Sequence, residues 1–292
     1  MKRILLVNKF YYRRGGDCVY LLNLERMLRS HGHVTAVYAM THPENLESDG
    51  SHLFAPEVDF GGGSIAGRCR AFRRLFGGAG VSRSFKRVLA EFKPDVVHLN
   101  NIHSYLSPVL ARLARRSGAR VVWTMHDFKL LCPSYLCLSP SGQPCEKCFR
   151  DKMQVVRHRC MKGSVAASVA AWLEALVWSR DRLVRDVDMF ICPSAFMRSR
   201  MLECGYPAGK LTVLNNFVED GAEPVVARKR EYCYVGRLSR EKGVETLLAA
   251  ASTLPYRLHV AGEGPLFSEL SNRYSASVSY THLRAHETCA DL

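Results

Sequence analysis

The sequence predicts an α/β protein of two domains, each built on a parallel sheet. Short apolar runs of strand length alternate along it with segments of helical period. Polar residues of ligand-binding type stand just after several of those runs, at the strand ends where parallel sheets place their sites. The length of 292 residues and the 47% hydrophobic content are enough for two buried cores.

The totals narrow the setting. No apolar run reaches the roughly 18 residues a membrane span needs, and Met1 to Val7 is too short for a signal peptide, so a cytoplasmic protein is expected. Eleven cysteines in a reducing compartment read as buried thiols or metal ligands rather than disulfides. A formal charge of +14 calls for anionic company: nucleotide phosphates, nucleic acid or an acidic membrane face.

Taken in order, Arg3 to Asn8 is a buried strand, and Arg13-Arg14-Gly15-Gly16-Asp17 leads into a helix from about Cys18 to His31. Glycine allows close backbone approach and a helix start favours anions, so Gly15 and Gly16 read as a phosphate-facing turn; ordinary tight-turn packing is the competing account. His33 to Met40 is the second strand, and residues 41–63 form a long loop. Arg68 to Phe92 carries Arg68, Arg70, Arg73, Arg74, Arg83, Lys86 and Arg87 among apolar residues and is split by Gly77-Gly78-Ala79-Gly80. That basic amphipathic pattern suits an anionic bilayer, and it equally suits a helix with a solvated arginine face. Asp95 to Leu99, a helix from Tyr105 to Arg116, and Arg120 to Met125 follow. They bring His98, Asn100, Asn101, His126 and Asp127 to one sheet edge.

Cys132, Cys137, Cys145, Cys148 and Cys160 then fall within a polar loop, residues 132–160, and Cys145 and Cys148 have the two-residue gap of a zinc knuckle. Cys132 (or Cys137), Cys145, Cys148 and Cys160 are the candidate ligands of a structural zinc, His158 being able to replace one; free thiols are the alternative. Ser164 to Arg182 reads as one apolar helix. The strand Asp188 to Cys192, a helix from Ala195 to Cys204 and the strand Leu211 to Leu214 close the first domain. Residues 221–230 mix Gly, Pro and charge as a linker.

Tyr232 to Val235 is the next strand, Gly236 turns the chain, and Gly243 to Ala251 has an apolar face at helical spacing. Arg237 leaves the strand end and Lys242 approaches the helix start, two cations beside free helix amides. On spacing alone a solvated basic loop is an equal reading. Arg257 to Ala261 is a further strand, followed by a glycine loop and a helix from about Leu266 to Arg273.

Gly236-Arg237, four residues, Lys242-Gly243, then Leu247, Leu248 and Ala250 resembles the donor-phosphate motif of family 4 glycosyltransferases, and His259 to Pro265 resembles that family's next strand and glycine loop. The resemblance covers nearly all of residues 2–273 and implies the GT-B fold, with two Rossmann-like domains and parallel sheets, the second incomplete. It implies an acceptor-side domain over 1–220 and a partial donor-nucleotide domain over 231–277. It places the donor diphosphate on Arg237 and Lys242, helped by Gly15, Gly16, Gly262 and Gly264. His126-Asp127 with Cys132-Pro133 is similar to a sub-group in which the matching histidine lies beside the transferred sugar. His126, Arg237 and Lys242 are thus the expected catalytic residues, with His98, Asn101 and Asp127 on the acceptor side.

The activity so implied is retaining transfer from a nucleotide-diphosphate-sugar donor to a glycan or lipid-linked acceptor in cell-surface polysaccharide synthesis, with no cofactor required for catalysis. The expected setting is cytoplasmic, with peripheral contact at the inner, anionic membrane face and no nucleic-acid partner. A nucleotide-sugar epimerase or phosphorylase of the same fold and a non-enzymatic zinc- or nucleic-acid-binding protein are the rival readings. Residues 278–292 resemble one translated reading frame of a transposon-end sequencing adapter; otherwise His282 and His286 would form a native i, i+4 pair. A chain cut within its second domain, and little turnover from it, are expected on that reading.

Overall fold

The computed structural model describes residues 1–60, 64–218, 230–274 and 278–281. The chain divides into two compact units, Met1–Glu219 and Asp220–Leu292. Of the expected linker 221–230, only Arg230 is among the described residues.

The first unit runs β1 (Arg3–Val7), α1 (Gly16–Ser30), β2 (Val34–Tyr38), α2 (Ile65–Leu75), α3 (Val81–Phe92), β3 (Val96–Leu99), α4 (Val109–Arg116), β4 (Arg120–Thr124), α5 (Lys147–Arg150), α6 (Gln154–Arg157), α7 (Val165–Val177), α8 (Arg180–Asp186), β5 (Met189–Cys192), α9 (Ala195–Glu203) and β6 (Leu211–Val213). Its six strands pair in parallel in the order β2-β1-β3-β4-β5-β6. Successive residues of a strand point to opposite faces. Leu5 and Val7 therefore join Val97, Leu99, Val121, Trp123 and Phe190 in the larger core, while Ile4 and Leu6 join Tyr20, Leu21, Leu24 and Val37 in the smaller one. Both faces being covered is why the strands read as near-continuous apolar runs.

Two expected helices and one expected helix face come out differently. The basic stretch 68–92 is split at 77–80, as expected, into two helices, α2 capped by Ser64, whose Oγ accepts the Gly67 amide at 3.2 Å. Between them Gly77, Ala79 and Gly80 adopt left-handed φ, which only glycine adopts freely. Arg74 does not belong to the solvated face: it is fully buried, donating to the Tyr105, Pro56 and Ala79 carbonyls at 2.9, 2.6 and 2.9 Å. The helix expected from Tyr105 starts only at Val109, because Ser104 and Ser107 are left-handed and the chain turns through Pro108. The helix expected over 164–182 breaks after Val177. Trp178 is drawn in by its Nε1 bond to the Leu75 carbonyl at 2.8 Å, and Ser179 takes an extended backbone that starts α8 afresh.

The second unit holds β7 (Tyr232–Val235), α10 (Val244–Ala251), β8 (Leu258–Ala261), α11 (Phe267–Arg273) and β9 (Val278–Thr281), with parallel strand order β7-β8-β9. Leu238, Val244, Leu248, Leu258, Val260 and Leu270 form its core. β9 lies in the stretch that resembles adapter sequence and pairs Val278 with Leu258 through Thr281 with Ala261. Backbone pairing accepts any non-proline sequence, so this pairing is independent of the strand's origin. His282 and His286 lie outside the described residues.

Candidate functional site

The carboxyl edge of the six-stranded sheet gathers the ends of β1, β3 and β4. Asn8, fully buried after β1, donates from Nδ2 to the Phe10 carbonyl at 3.0 Å and accepts the Asn101 amide on Oδ1 at 3.0 Å. That ties the β1 loop to the β3 loop. Asn100 is held in turn: its carbonyl accepts Trp123 Nε1 at 2.9 Å and its Nδ2 donates to the Val7 carbonyl at 3.3 Å. Asn100 Oδ1 is then left as an acceptor, and His126 Nε2 lies 3.0 Å from it. The proton of the His126 ring therefore sits on Nε2, which leaves Nδ1 unprotonated.

Burial pushes the His126 imidazole down to about 4; Asp17 works against the shift and Lys9 with it. Tyr20 of α1 meets its ring edge-on at 4.9 Å between centroids. At neutral pH this is an uncharged, fixed imidazole. Asp127 is a different case: burial raises its carboxyl, and its Oδ1 accepts the Lys129 amide at 2.8 Å. His98, expected on the acceptor side, spends Nε2 on Thr124 Oγ1 at 2.7 Å and is 7% exposed, so the ring steadies β4 from within. Burial first, and then His126, push it down to about 3. Asn101 stays half-buried beside these groups.

Gly15 and Gly16 open α1 at the same edge. Gly15 is extended at φ −165°, and a side-chain carbon there would meet only Asp17 Oδ1, at 3.5 Å. A side-chain carbon at Gly16 would meet nothing within 4 Å. Neither strain nor crowding within the protein requires glycine here. What glycine provides is access to the first amides of α1. Asp17 stands in that first turn, 3.6 Å from Lys9 Nζ, with its Oδ2 buried and without a hydrogen-bond partner.

In the second unit Arg237 follows β7, and Lys242 ends a short 3₁₀ turn, Arg240–Lys242, directly before α10. Both are exposed, and among the described residues neither reaches a carboxylate within 4 Å. Burial works against the charge of Glu241, yet the Ser239 hydroxyl at 2.5 Å, with Arg237 and Lys242 nearby, holds it below the usual carboxylate range. Gly262 and Gly264 have a reason inside the protein. The β7–α10 and β8–α11 loops touch through Leu238 N to Glu263 O at 2.8 Å and Leu266 N to Leu238 O at 3.1 Å. A side-chain carbon on Gly262 would run into the Gly236 carbonyl, and one on Gly264 into that of Leu238.

The cysteine loop brings Cys132 into side-chain hydrogen bonding with Cys137 and Cys148, and spreads the expected zinc ligands over two adjoining places. Cys132 and Cys148 pack with Val155 in a small apolar core, flanked by Cys137, Cys160 and Trp172, and Cys145 is not part of it. Cys145 and His158 line a neighbouring open cavity, together with Cys148 and Cys160. Among the described residues no three His, Cys, Asp or Glu side chains are placed to hold a metal ion.

Sequence reading placed Asn100 at this edge and missed Asn8, Lys9 and Tyr20. Asn8 had a signal, being the first polar residue after an apolar strand. Lys9 and Tyr20 had none, because only the fold brings the first turn of α1 to β4.

Known proteins resemble this chain as follows. Residues 15–216 match the family model described as the glycosyl transferase 4-like domain. A Klebsiella pneumoniae protein, described as an uncharacterized 42.6 kDa protein in cps region, is 24% identical over 258 residues, or 83% of this chain. The chain spans 63% of that relative's length. Sucrose-phosphate synthase from Thermosynechococcus elongatus is similar in structure at a TM-score of 0.60 and 17% identity, over 97% of this chain and 71% of the other. Anabaena Alr3699/HepE, solved in complex with UDP and glucose, gives 0.58 at 13% identity, over 97% and 70%. These likenesses show the fold, a GT-B architecture.

Proposed function

The chain belongs to the glycosyl transferase 4-like family, and from that premise we propose that the whole protein moves a sugar, with retention, from a nucleotide-diphosphate donor to a glycan or lipid-linked acceptor in cell-surface polysaccharide synthesis. The observation that carries the reading is the carboxyl edge of the first sheet: a neutral imidazole fixed 3.0 Å from Asn100 beside a helix start where Gly16 faces open space. A sugar offers hydroxyls to such an imidazole, and a phosphate suits such amides. The UDP bound to the Anabaena neighbour and the cps-region setting of the Klebsiella relative support the donor class and the biological role.

In this mechanism the departing diphosphate gains negative charge as the glycosidic bond breaks. Arg237 and Lys242, exposed and without carboxylate partners among the described residues, neutralise it, and the amides at Gly15 and Gly16 add donors. His126 accepts a hydrogen bond from a sugar hydroxyl on Nδ1, while Asn100 keeps its Nε2 proton in place. Asp127 and Asn101 orient the acceptor, with His98 supporting them through Thr124. Water would compete as acceptor, so the donor must be enclosed before transfer.

No helix among the described residues is long and apolar enough to cross a membrane. Peripheral contact is proposed instead through α2 and α3, whose exposed Arg68, Arg70, Arg73, Arg83, Lys86 and Arg87 accompany Ile65 at 81% and Phe72 at 43% exposure. The test of function is product analysis. Full-length protein is given a panel of labelled nucleotide sugars with glycan and lipid-linked acceptors, and the anomeric configuration of the new linkage is read by NMR. An acceptor-linked sugar of unchanged configuration supports the reading. Free epimerised sugar or sugar phosphate, without acceptor product, overturns it.

A further inference from the structure

Behind the β3 and β4 loops lies a cavity of about 160 Å³, apart from the edge just described and lined in part by His103, Lys129, Lys152, Glu174, Arg180 and Tyr206. Its charges do not balance. Glu174, in the middle of apolar α7, meets Lys129 Nζ at 3.0 Å, with the two side chains 4% and 8% exposed. The remaining acceptor capacity of Glu174 goes to the Ser104 amide at 3.0 Å and hydroxyl at 3.4 Å, and Lys129 also donates to the Pro133 carbonyl at 2.7 Å. Arg180 is answered by Asp181 at 2.9 Å.

Lys152 has no such answer. Its ammonium donates to the Leu130 and Leu131 carbonyls, and among the described residues no carboxylate comes within 4 Å of it. A lysine carries three N–H donors, so one is left over beside a space that would hold about five waters at ~30 Å³ each. Lys152 is half-buried: burial disfavours its ammonium, and the groups that work against that shift are the thiols of Cys204, Cys148, Cys132 and Cys137 rather than a carboxylate. His103 adds no charge, since burial first, and then Lys129 and Lys9, hold its imidazole well below the usual histidine range.

We propose that this cavity is a binding site for a small oxyanion of phosphate size, with the Lys152 ammonium as its principal partner. The volume admits one tetrahedral anion with a water or two and excludes a nucleotide or a lipid. Such an anion would tie the Lys152 segment between α5 and α6 to the Lys129 loop, which also carries His126 and Asp127. The proposal uses no part of the donor site and does not depend on the transferase reading.

The test is calorimetric titration of the full chain with sodium phosphate, against sodium chloride at matched ionic strength. A saturable phosphate isotherm is expected, weakened at least tenfold in Lys152→Met. Ala175→Leu fills the cavity without touching a charge and should also abolish binding, so the test survives if Lys152→Met fails to fold. Arg116→Met, on the outer surface, should bind as the parent does. No saturable binding in the parent, or equal binding in parent, Lys152→Met and Ala175→Leu, as an adventitious ion only would give, overturns the proposal.

Discussion

The same kind of edge, where parallel strands give way to helices, is built in opposite ways in the two units. In the first, polar groups are used up on one another: Asn8 holds Asn101, Asn100 holds His126, Thr124 holds His98, and the imidazoles are kept uncharged. In the second, Arg237 and Lys242 stand exposed on a loop whose own backbone is tightly packed. Glycine differs in the same sense. Gly262 and Gly264 are required by carbonyls of the neighbouring loop, whereas a side-chain carbon would meet only Asp17 Oδ1 at Gly15, in ordinary contact, and nothing at Gly16. A glycine in a motif can thus mark contact between two loops or room kept for a ligand, and only the neighbours of the missing side chain tell which.

The largest expected effect falls on the exposed cations. Arg237→Ala or Lys242→Ala in the full-length protein should lower kcat by about 10²- to 10³-fold, the usual loss when one donor to a developing charge is removed. Steady-state sugar transfer measures it. Unchanged kcat would make the loop merely a solvated one.

Next come the packed glycines. Gly264→Ala and Gly262→Ala force a side-chain carbon onto backbone that has little room to yield, and each should destabilise the second unit by about 2 to 3 kcal/mol, read from urea unfolding. Equal stability to the parent would show that the two loops part easily.

A pH effect of similar or smaller size belongs to the first unit. His98 and His126 have folded values pushed below the ordinary 6.5, to about 3 and about 4. The unfolded chain therefore binds more protons as pH falls below 6.5, and stability that is complete above that value is lost in acid. Between pH 7 and 5 the enclosed His98 contributes a loss of up to about 2 kcal/mol. His98→Asn and His126→Asn should each flatten the dependence; a slope unaltered in both would remove the claim of neutral imidazoles.

The smallest stability change should come from Gly16→Ala, within about 0.5 kcal/mol of the parent, because the added carbon enters open space. Its KM for donor should nevertheless rise severalfold. A large loss of stability with unchanged KM would return Gly16 to the class of Gly264.

What could be read in the sequence follows the same division. The six strands of the first sheet were legible because burial on both faces leaves apolar runs that end at a polar residue, as at Asn8 and Asn100. The break at Trp178 and Ser179 was not, since it depends on a bond from Trp178 to a carbonyl about a hundred residues away. Arg74 was misplaced on the solvated face for the same reason: its three carbonyl partners come from separate loops. Glu174 was overlooked although its position gave a hint, one carboxylate inside an apolar helix, and the lysine that answers it lies 45 positions earlier. The position of Arg237 and Lys242 between β7 and α10 was legible because their spacing is local to one turn; their role is the proposal.

The central claim is that these two side chains hold the donor diphosphate. It is tested most directly by equilibrium binding of UDP, GDP and ADP to the full-length protein and to its Arg237→Ala and Lys242→Ala variants. The account predicts saturable binding of at least one nucleoside diphosphate by the parent, and an affinity at least tenfold lower in each variant. Equal affinity in parent and variants would contradict it.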